Sequence, residues 1–239
     1  YDLSNLIITK IVKKKLILNT DIKFKNTVLS GPFCELKIDN ETYVPSQILG
    51  MVENELHELI SNKILKKNYK CLINLGVANG YYLLGLLKFG KFSKAYAIDI
   101  DTVHFNKIET LIINNNIDAE VLYFDHIDKF QNIYDNSISN NFIICDTEGA
   151  EVDLLDVKTR PWLINNDILV ETHNIEALSK IEIDFKKSHK ITKITNSATI
   201  NYELPTTVKN HEIFNSIDKL ALSGSLRISK TPWLFLEKK

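Results

Sequence analysis

From residue 70 onward, short and almost wholly apolar segments alternate with longer segments of helical spacing. The apolar segments read KCLINLG, AYAIDI, AEVLYFD, NFIICD, DILVETHN and, at the end of the chain, PWLFLEK. A segment that is apolar on both sides is typical of a central parallel strand, because helices cover both faces of such a sheet. Strands and helices that alternate through short connections predict a Rossmann-like α/β fold, a doubly wound and mostly parallel sheet with helices on both faces.

Residues 1–68 lack this alternation, and we expect them to form a small N-terminal appendage packed on a core domain of residues 69–239. Residues 1–30 show no clear period and are expected to be peripheral. The segment FCELKIDNETYVP alternates apolar and polar positions and turns at Asp39 and the asparagine after it, which predicts a hairpin. Ser46 is then a candidate N-cap for a helix over MVENELHELISNKI, whose apolar residues recur at helical spacing.

Charge and composition exclude several classes of partner and site. The net charge of the 239 residues is −1 and the pI is about 6.7, whereas a nucleic-acid binder usually shows a strongly basic face. Cys34, Cys71 and Cys145 form no CxxC pair, which argues against a zinc or redox site and favours a reduced, cytoplasmic setting. No apolar run approaches the roughly 18 residues of a membrane span. We therefore expect no nucleic-acid partner and no membrane span. The oligomeric state stays open, as does an upstream targeting segment, because the chain begins with Tyr1.

Polar residues or glycines follow each strand of the predicted core. In an open α/β sheet, ligands bind beyond the carboxyl ends of the strands, at the point where the strand order reverses. The residues at these ends are Asn74 to Gly80, Asp99 and Asp101, Asp125, Asp146 to Glu148, and Glu171 to His173. We expect them to line one ligand site.

The first of these turns, NLGVANGYY, places Gly76 and Gly80 between a buried strand and a helix. Small residues there allow a nucleoside to approach closely and leave the helix amides free to contact it. Asp99 lies 23 positions after Gly76, where a carboxylate can accept hydrogen bonds from both ribose hydroxyls. Asp101 is a second candidate for cofactor binding, with the capping of the next helix as its alternative role.

A glycine turn with a ribose carboxylate is common to nicotinamide-dependent oxidoreductases and to methyltransferases. The dinucleotide fingerprint G-x-G-x-x-G is absent here, and Val77 hinders the close backbone approach that the fingerprint provides. The Tyr-x-x-x-Lys pair of short-chain dehydrogenases does not occur. The sequence therefore favours a methyltransferase that uses S-adenosylmethionine (SAM).

Several segments, taken in order, resemble the FkbM-type family of SAM-dependent methyltransferases. ICDTEGAEVDLL is similar to the family's D-x-E-G-x-E run, INLGVANGYY to its glycine motif, YAIDID to its second-strand motif and LVETHN to its E-x-H strand ending. LGMVENEL is similar to the short glycine-to-glutamate segment upstream, so the resemblance covers about residues 50–237. It implies transfer of the SAM methyl group, typically to a hydroxyl of a sugar or another small metabolite.

The resemblance also implies roles for individual residues. Gly76, Gly80 and Tyr81 would line the methionine side of SAM. Asp99 would hold the ribose, and Asp125 would approach the adenine.

Asn74 departs from the family, which usually has an acidic residue at this position, two before Gly76. An asparagine can still accept a hydrogen bond in a network around the cofactor ammonium, but it lacks the charge. The departure predicts either weaker SAM binding or a degenerate site.

A hydroxyl acceptor must lose its proton during methyl transfer, and two arrangements of the same residues offer help. His173 is a candidate general base, because its ordinary pKa of about 6.5 suits that role. Alternatively, Asp146, Glu171 and His173 hold a divalent cation, Mg or another oxygen-preferring ion, by analogy with catechol-type methyltransferases. Asp146 is also a candidate for binding the cofactor amine. A third alternative is that neither arrangement operates.

Three other functions stay open on the sequence alone: a non-catalytic SAM-binding scaffold, an NAD-dependent oxidoreductase and a pure interaction module. Residues 1–68 and about 190–230 are expected to contact the acceptor. Within the second segment, residues 195–216 are predicted to form an irregular excursion that serves as a lid or substrate wall.

Overall fold

The computed structural model describes residues 3–135, 140–195, 203–223 and 232–239. Within these residues, seven strands form one sheet. In chain order they are β1 (Leu72–Leu75), β2 (Lys94–Ile98), β3 (Glu120–Phe124), β4 (Phe142–Cys145), β5 (Asp167–Glu171), β6 (His189–Ile194) and β7 (Trp233–Lys238). Their order across the sheet is β3-β2-β1-β4-β5-β7-β6.

The strand order reverses at β1, which lies between β2 and β4. Leu75, the last residue of β1, is level with Ile98 of β2 and with Cys145 of β4, and all these pairings are parallel. β7 runs antiparallel between β5 and β6. The predicted Rossmann-like, mostly parallel α/β sheet is therefore confirmed. The antiparallel β7 is inserted between the fifth and sixth strands of the usual dinucleotide-binding order.

The helices flank this sheet on both faces. Among the described residues they are α1 (Leu3–Asn19), α2 (Pro45–Leu49), α3 (His57–Leu59), α4 (Tyr81–Phe89), α5 (Phe105–Asn114), α6 (Ile127–Gln131), α7 (Glu151–Leu154), α8 (Ile175–Phe185) and α9 (Ser216–Leu222). α3 follows a 3-10 turn at Asn54–Leu56 and passes into a π-helical turn at Ile60–Ile64. In the part of the chain that the structure describes, no helix has the length and apolar character needed to cross a membrane.

Alternate residues of each strand enter two hydrophobic clusters, one on each face of the sheet. Leu72 belongs to the first cluster, whereas Ile73 and Leu75 belong to the second. α4, α5 and the segment before β1, including Leu16 and Tyr43, cover the first face. α6 and α8 cover the second. The N-terminal residues thus share a hydrophobic core with the sheet, and a domain division at residue 68 stays a prediction.

The predicted hairpin around Asp39 is wrong. Leu36 and Ile38 are buried, as the apolar alternation implied. However, three backbone hydrogen bonds of 2.9 Å pair this segment with residues 26–28, upstream, rather than with the residues that follow. Asp39 closes a short turn by accepting a hydrogen bond from the amide of Glu41. The alternation therefore reflects the burial of one side of this segment. The segment pairs with residues that precede it in the sequence, not with residues that follow it.

The predicted N-cap at Ser46 is also wrong. α2 begins at Pro45, with Val44 as its N-cap, and Ser46 lies inside the helix. Proline suits the first helical position because it has no amide hydrogen to leave unsatisfied. The Gln47 side chain accepts a hydrogen bond from the Val44 amide over 3.1 Å.

The sequence pattern does not predict α1, α6, β6 or α9. β6 is an edge strand that contains Lys190 and Lys193, so its sequence lacks the apolar run of a central strand. Residues 203–215 are irregular, as expected for this part of the chain, but α9 follows them as a regular helix. The first part of the predicted excursion, residues 196–202, lies outside the described residues.

We expect Gly85→Ala in α4 to destabilise the protein. Alanine is normally favoured over glycine inside a helix by about 1 kcal/mol. Here, however, a Cβ on Gly85 would lie 2.5 Å from the ring of Phe33, which is fully buried and packs against Tyr81. Overpacking should lower the free energy of unfolding by about 1–3 kcal/mol, as measured by urea denaturation.

The double variant Phe33→Leu/Gly85→Ala is the control for this prediction. If the clash causes the loss, the smaller side chain at position 33 makes the two substitutions less destabilising together than their sum. An increase in stability of Gly85→Ala alone would contradict the packing of Phe33 on α4.

Candidate functional site

The loop after β1 lies directly against the end of β4. Gly76 and Gly80 both have positive φ, 78° and 84°. A Cβ on Gly76 would overlap the backbone carbonyl of Asp146, and one on Gly80 would lie 2.9 Å from the Ile108 side chain. Both positions therefore require glycine, and the loop occupies the point where the strand order reverses, as predicted.

Asp99 holds this loop in place. One carboxylate oxygen of Asp99 accepts hydrogen bonds from the amides of Val77, at 2.7 Å, and Ala78, at 2.8 Å. The other oxygen accepts from the amide of Asp101, at 2.9 Å. Asp99 thus links the ends of β1 and β2 within the protein itself, a role that the sequence does not reveal. Its contact with a ribose stays a prediction.

Asn74 is buried near the end of β1 and stabilises the same loop. Its side-chain amide donates a hydrogen bond to the carbonyl of Gly76 over 2.9 Å. A carboxylate has no hydrogen to donate at neutral pH, so an acidic residue here would face that carbonyl without a bond. Among the described residues, the Asn74 Oδ1 atom is buried and has no hydrogen-bond partner. It is therefore an acceptor that a ligand group is able to use.

The other predicted cofactor residues differ in their exposure to solvent. Asp101 is the N-cap of the turn that starts α5, and it accepts from the amide of Val103, so the capping role is confirmed. Asp125 is exposed, and the ammonium of Lys129 at 2.6 Å lowers the pKa of its carboxyl. Tyr81 is buried, which raises the pKa of its hydroxyl.

Tyr81 belongs to an aromatic cluster of the core. Its ring packs edge-on against Phe33 at a centroid distance of 5.3 Å and against Tyr43 at 6.2 Å. Its proposed contact with the methionine side of SAM stays a prediction. Ile100, which the sequence reasoning passed over, is exposed between Asp99 and Asp101 and offers an apolar surface beside their carboxylates.

Both ring nitrogens of His173, just beyond β5, face carboxylates. Its Nδ1 lies 2.7 Å from Glu151 Oε1. Its Nε2 lies 3.3 Å from Glu148 Oε2, 3.7 Å from Glu171 Oε2 and 3.8 Å from Asp146 Oδ1. The structure therefore brings together all three residues of the predicted catalytic or metal-binding group, and it adds two glutamates.

Glu151 is a functional candidate that sequence reasoning did not assign. It is completely buried at the start of α7, and its Oε1 also accepts from the amide of Gly149 at 2.9 Å and from the Thr147 hydroxyl at 3.3 Å. Burial opposes ionisation, but the hydrogen bonds from His173 and Gly149 lower the pKa of Glu151. The last glutamate of the D-x-E-G-x-E run was the available signal, although the run alone does not show which glutamate is buried.

These contacts set the charges in the cluster. The hydrogen bond with Glu151, opposed by burial and reinforced by the charge of Glu171, raises the pKa of His173 to about 9. Burial and the neighbouring carboxylates of Glu171 and Glu53 raise the pKa of Asp146 well above its usual range. At neutral pH, without a ligand, His173 is a cation, and a cation cannot act as a general base.

Glu53 reaches the cluster from the N-terminal segment. It adopts a left-handed backbone conformation, with φ of 47°. Its carboxylate accepts a hydrogen bond from the hydroxyl of Tyr82 on α4, and its charge acts on Asp146. The upstream glutamate of LGMVENEL therefore belongs to the same site as the strand ends.

Asp146, Glu171 and His173 fit a divalent cation. One ligand atom from each of the three residues lies within 4.8 Å of the others. Within the described residues, Asp146 Oδ1 is buried without a hydrogen-bond partner, as expected of an atom that is available to a ligand. Two carboxylates and one imidazole suit magnesium or manganese better than a thiol-preferring ion.

Comparison with known proteins identifies the fold of this chain but does not identify its family. No protein-family profile and no curated protein matches the sequence. The methyltransferase domain of METTL16 matches with a TM-score of 0.55 and 12% identity, over 96% of this chain and 80% of that domain. An rRNA methylase from Streptococcus thermophilus matches with a TM-score of 0.49 and 11% identity, over 77% of this chain and 96% of that one.

A third similar structure contains a cofactor product. M. capricolum TrmK in complex with S-adenosyl-homocysteine matches with a TM-score of 0.45 and 14% identity, over 74% of this chain and 67% of that one. At these identities the likeness shows the fold alone. The chain has the Rossmann-like α/β fold of methyltransferases, and its FkbM resemblance is not confirmed.

The charge of His173 yields a prediction for the metal-free protein. Its pKa in the folded state, about 9, lies above the unfolded value of 6.5. Protonation of His173 therefore stabilises the fold fully below about pH 6.5, and this contribution is lost as the pH rises through about 9. Glu151→Gln should lower the pKa of His173, measured by NMR titration of the imidazole, because the amide still accepts the Nδ1 hydrogen but carries no charge.

Glu148→Gln is the matched control, since Glu148 also faces His173 but is exposed. Solvent screens its charge, so we expect a much smaller change in the pKa of His173. An unchanged His173 pKa in Glu151→Gln would show that the buried glutamate does not set the charge of the imidazole.

Proposed function

We propose that this protein is a SAM-dependent methyltransferase of the FkbM type that methylates a hydroxyl group of a sugar or another small molecule. One observation carries the proposal. The glycine loop that Asp99 holds and the cluster around Asp146, Glu171 and His173 meet at neighbouring strand ends, with Gly76 in van der Waals contact with the backbone of Asp146. A cofactor site and a reactive cluster therefore adjoin at the ligand-binding edge of the sheet.

The proposed cofactor site extends along the ends of β1, β2 and β3. Gly76 and Gly80 give the loop its shape, and the methionine part of SAM would lie against the loop backbone. Asn74 Oδ1 is a buried acceptor beside that loop. Asp99 and the exposed Ile100 flank the position for the nucleoside, with a carboxylate for the ribose and an apolar side chain for the adenine. Asp101 and Asp125 lie on the outer rim of this site.

The charge of SAM agrees with this position. The methyl group is carried by a cationic sulfonium, and the neighbouring cluster contains more carboxylates than cations. Carboxylates near the sulfonium stabilise the bound cofactor, and the protein then aligns the acceptor oxygen with the methyl carbon. An anionic acceptor, such as a phosphate-rich nucleic acid, is disfavoured beside the same carboxylates.

For activation of the acceptor, the geometry favours a metal over a free base. A divalent cation would be held by Asp146, Glu171 and the Nε2 of His173, and it would lower the pKa of an acceptor hydroxyl. Glu151 fixes the imidazole by its Nδ1, so Nε2 faces the other carboxylates. To act as a general base, His173 must first lose the proton that its hydrogen bond with Glu151 stabilises. Because the pKa of His173 is about 9, this route requires alkaline pH.

A non-catalytic scaffold is the second candidate function, because Asn74 replaces a family carboxylate. The hydrogen bond from Asn74 to Gly76 argues against it, since the asparagine maintains the shape of the loop. A nicotinamide dinucleotide is the alternative cofactor. Calorimetric titration with SAM, with S-adenosyl-homocysteine and with NAD separates these candidates, and binding of NAD in preference to SAM would overturn the proposal.

Asp99→Ala should weaken SAM binding at least tenfold in this titration. The substitution removes the acceptor of two loop amides together with the predicted ribose contact, and hydrogen bonds to a charged group contribute about 1.5–3 kcal/mol each. Asp118→Ala is the control, because Asp118 is an exposed aspartate that precedes β3, at the opposite edge of the sheet. Equal SAM affinity of Asp99→Ala and the wild type would remove Asp99 from the cofactor site.

His173→Ala should abolish methyl transfer while sparing SAM binding. Release of S-adenosyl-homocysteine in the presence of a panel of sugars and small hydroxyl compounds, with magnesium or manganese, measures transfer. His211→Ala is the control, because His211 is exposed and lies outside the cluster. Full activity of His173→Ala would exclude His173 both as a base and as a ligand.

Asp146→Asn and Glu171→Gln test the metal route without an acceptor. Both should weaken manganese binding, measured by electron paramagnetic resonance of free Mn²⁺, by tenfold or more, because each removes a charged ligand. Glu148→Gln should change the affinity little. Absence of manganese binding to the SAM-loaded wild type would exclude the metal route and leave methyl transfer without a metal.

A further inference from the structure

α1 carries apolar side chains on both of its faces. Val12 and Leu16 are buried against the core, where α1 packs on α2 and α9. The opposite face is also apolar, and its large side chains, together with one in the turn that follows, are between 44% and 80% exposed. They are Leu6, Ile7, Ile11, Leu18 and Ile22. A group of large exposed apolar side chains on one surface indicates that the surface binds a partner.

Three of the exposed residues form one stripe along α1. Ile7, Ile11 and Leu18 are separated by four and seven positions, so they project from the same side of the helix. Ile22 continues the apolar surface beyond the end of α1. We call this surface, with the lysines described next, the α1 face.

The α1 face is strongly cationic although the whole chain is not. Residues 3–25 contain six lysines and a single acidic residue, Asp21, whereas the net charge of the protein is −1. Lys15 is paired with Asp218, and Lys13 donates to the carbonyl of Glu41. Four lysines are exposed alongside the apolar stripe: Lys10, Lys14, Lys23 and Lys25.

We propose that the α1 face binds the surface of an anionic lipid membrane. An interfacial helix inserts apolar side chains between the lipid headgroups while its lysines contact the headgroup charges. Lys10 and Lys14 lie one turn apart on the same side of α1 as Ile7 and Ile11, which is the arrangement that such a surface requires. In this arrangement α1 lies along the surface of the bilayer.

Two other occupants fit the α1 face less well. RNA phosphates match the lysines but leave five large apolar side chains in water. A second copy of the chain in a two-fold dimer covers the apolar stripe but sets lysines against lysines, which costs affinity. Of these three occupants, the anionic lipid surface is the one that satisfies the apolar and the cationic residues together.

Co-sedimentation of the complete protein with vesicles tests this proposal. The wild type should bind vesicles of phosphatidylserine and phosphatidylcholine, and it should bind phosphatidylcholine alone much more weakly. Ile7→Ser/Ile11→Ser should lower the partition coefficient at least tenfold, because it removes inserted apolar surface. Lys10→Gln/Lys14→Gln should lower it by about fivefold per lysine, and added salt should reduce binding of the wild type.

Ile113→Ser/Ile183→Ser is the matched control, since these isoleucines are similarly exposed on α5 and α8. This variant should bind the vesicles like the wild type. Thermal unfolding of all variants verifies folding independently of lipid binding and of SAM binding, so a failure of the proposed methyltransferase activity leaves this test intact.

Three results would overturn the proposal. The first is equal vesicle binding by the wild type and Ile7→Ser/Ile11→Ser, or no binding of the wild type to anionic vesicles. The second is a dimer in light scattering that the isoleucine substitutions dissociate, which assigns the face to a second copy. The third is lysine-dependent binding of single-stranded RNA with no binding of vesicles.

Discussion

The close approach of the loop after β1 to the end of β4 is the constraint on which the candidate site depends. Gly76 leaves no space for a side chain between itself and the Asp146 carbonyl. Asn74 and Asp99 then fix the loop through hydrogen bonds to its backbone. Because these bonds come from the ends of β1 and β2, the sheet itself sets the distance between the loop and the acidic cluster. A larger residue at position 76 would separate the two halves of the site.

Electrostatic compensation supports the proposal that the cluster binds a ligand and is not only a structural ion pair. His173 is one cation among the carboxylates of Asp146, Glu148, Glu151 and Glu171. Glu151 is buried and its Oε1 holds Nδ1 of His173, so the other three carboxylates lie on the side that faces Nε2. Burial makes uncompensated carboxylates costly, and together with the charges of Glu171 and Glu53 it raises the pKa of Asp146, so a bound cation that compensates the carboxylate charge is favoured. A sulfonium or a divalent cation supplies the same compensation.

The sequence predicts the parallel core and most strand-end residues because both depend on local patterns. The apolar runs of β1, β2, β4 and β5 identify central strands, and polar residues at their ends follow from the position of each strand. The path of the first 68 residues depends on which segment pairs with which, and the alternation around Leu36 does not contain that information. The burial of Glu151 likewise depends on where β5 ends relative to α7. Such contacts between distant segments are not visible in the spacing of residues.

The distribution of charge over the structure likewise cannot be predicted from the composition of the sequence. A net charge near zero suggests a neutral surface, yet the acidic residues gather at the carboxyl ends of β4 and β5 while lysines gather on α1. We propose different partners for the two groups because their surroundings differ. At the strand ends, the carboxylates crowd around one imidazole, and a small cation is the proposed partner. On α1 the exposed lysines lie beside exposed isoleucines, and an extended anionic and apolar surface is the proposed partner. Charge therefore indicates a partner only after the fold has shown where it lies.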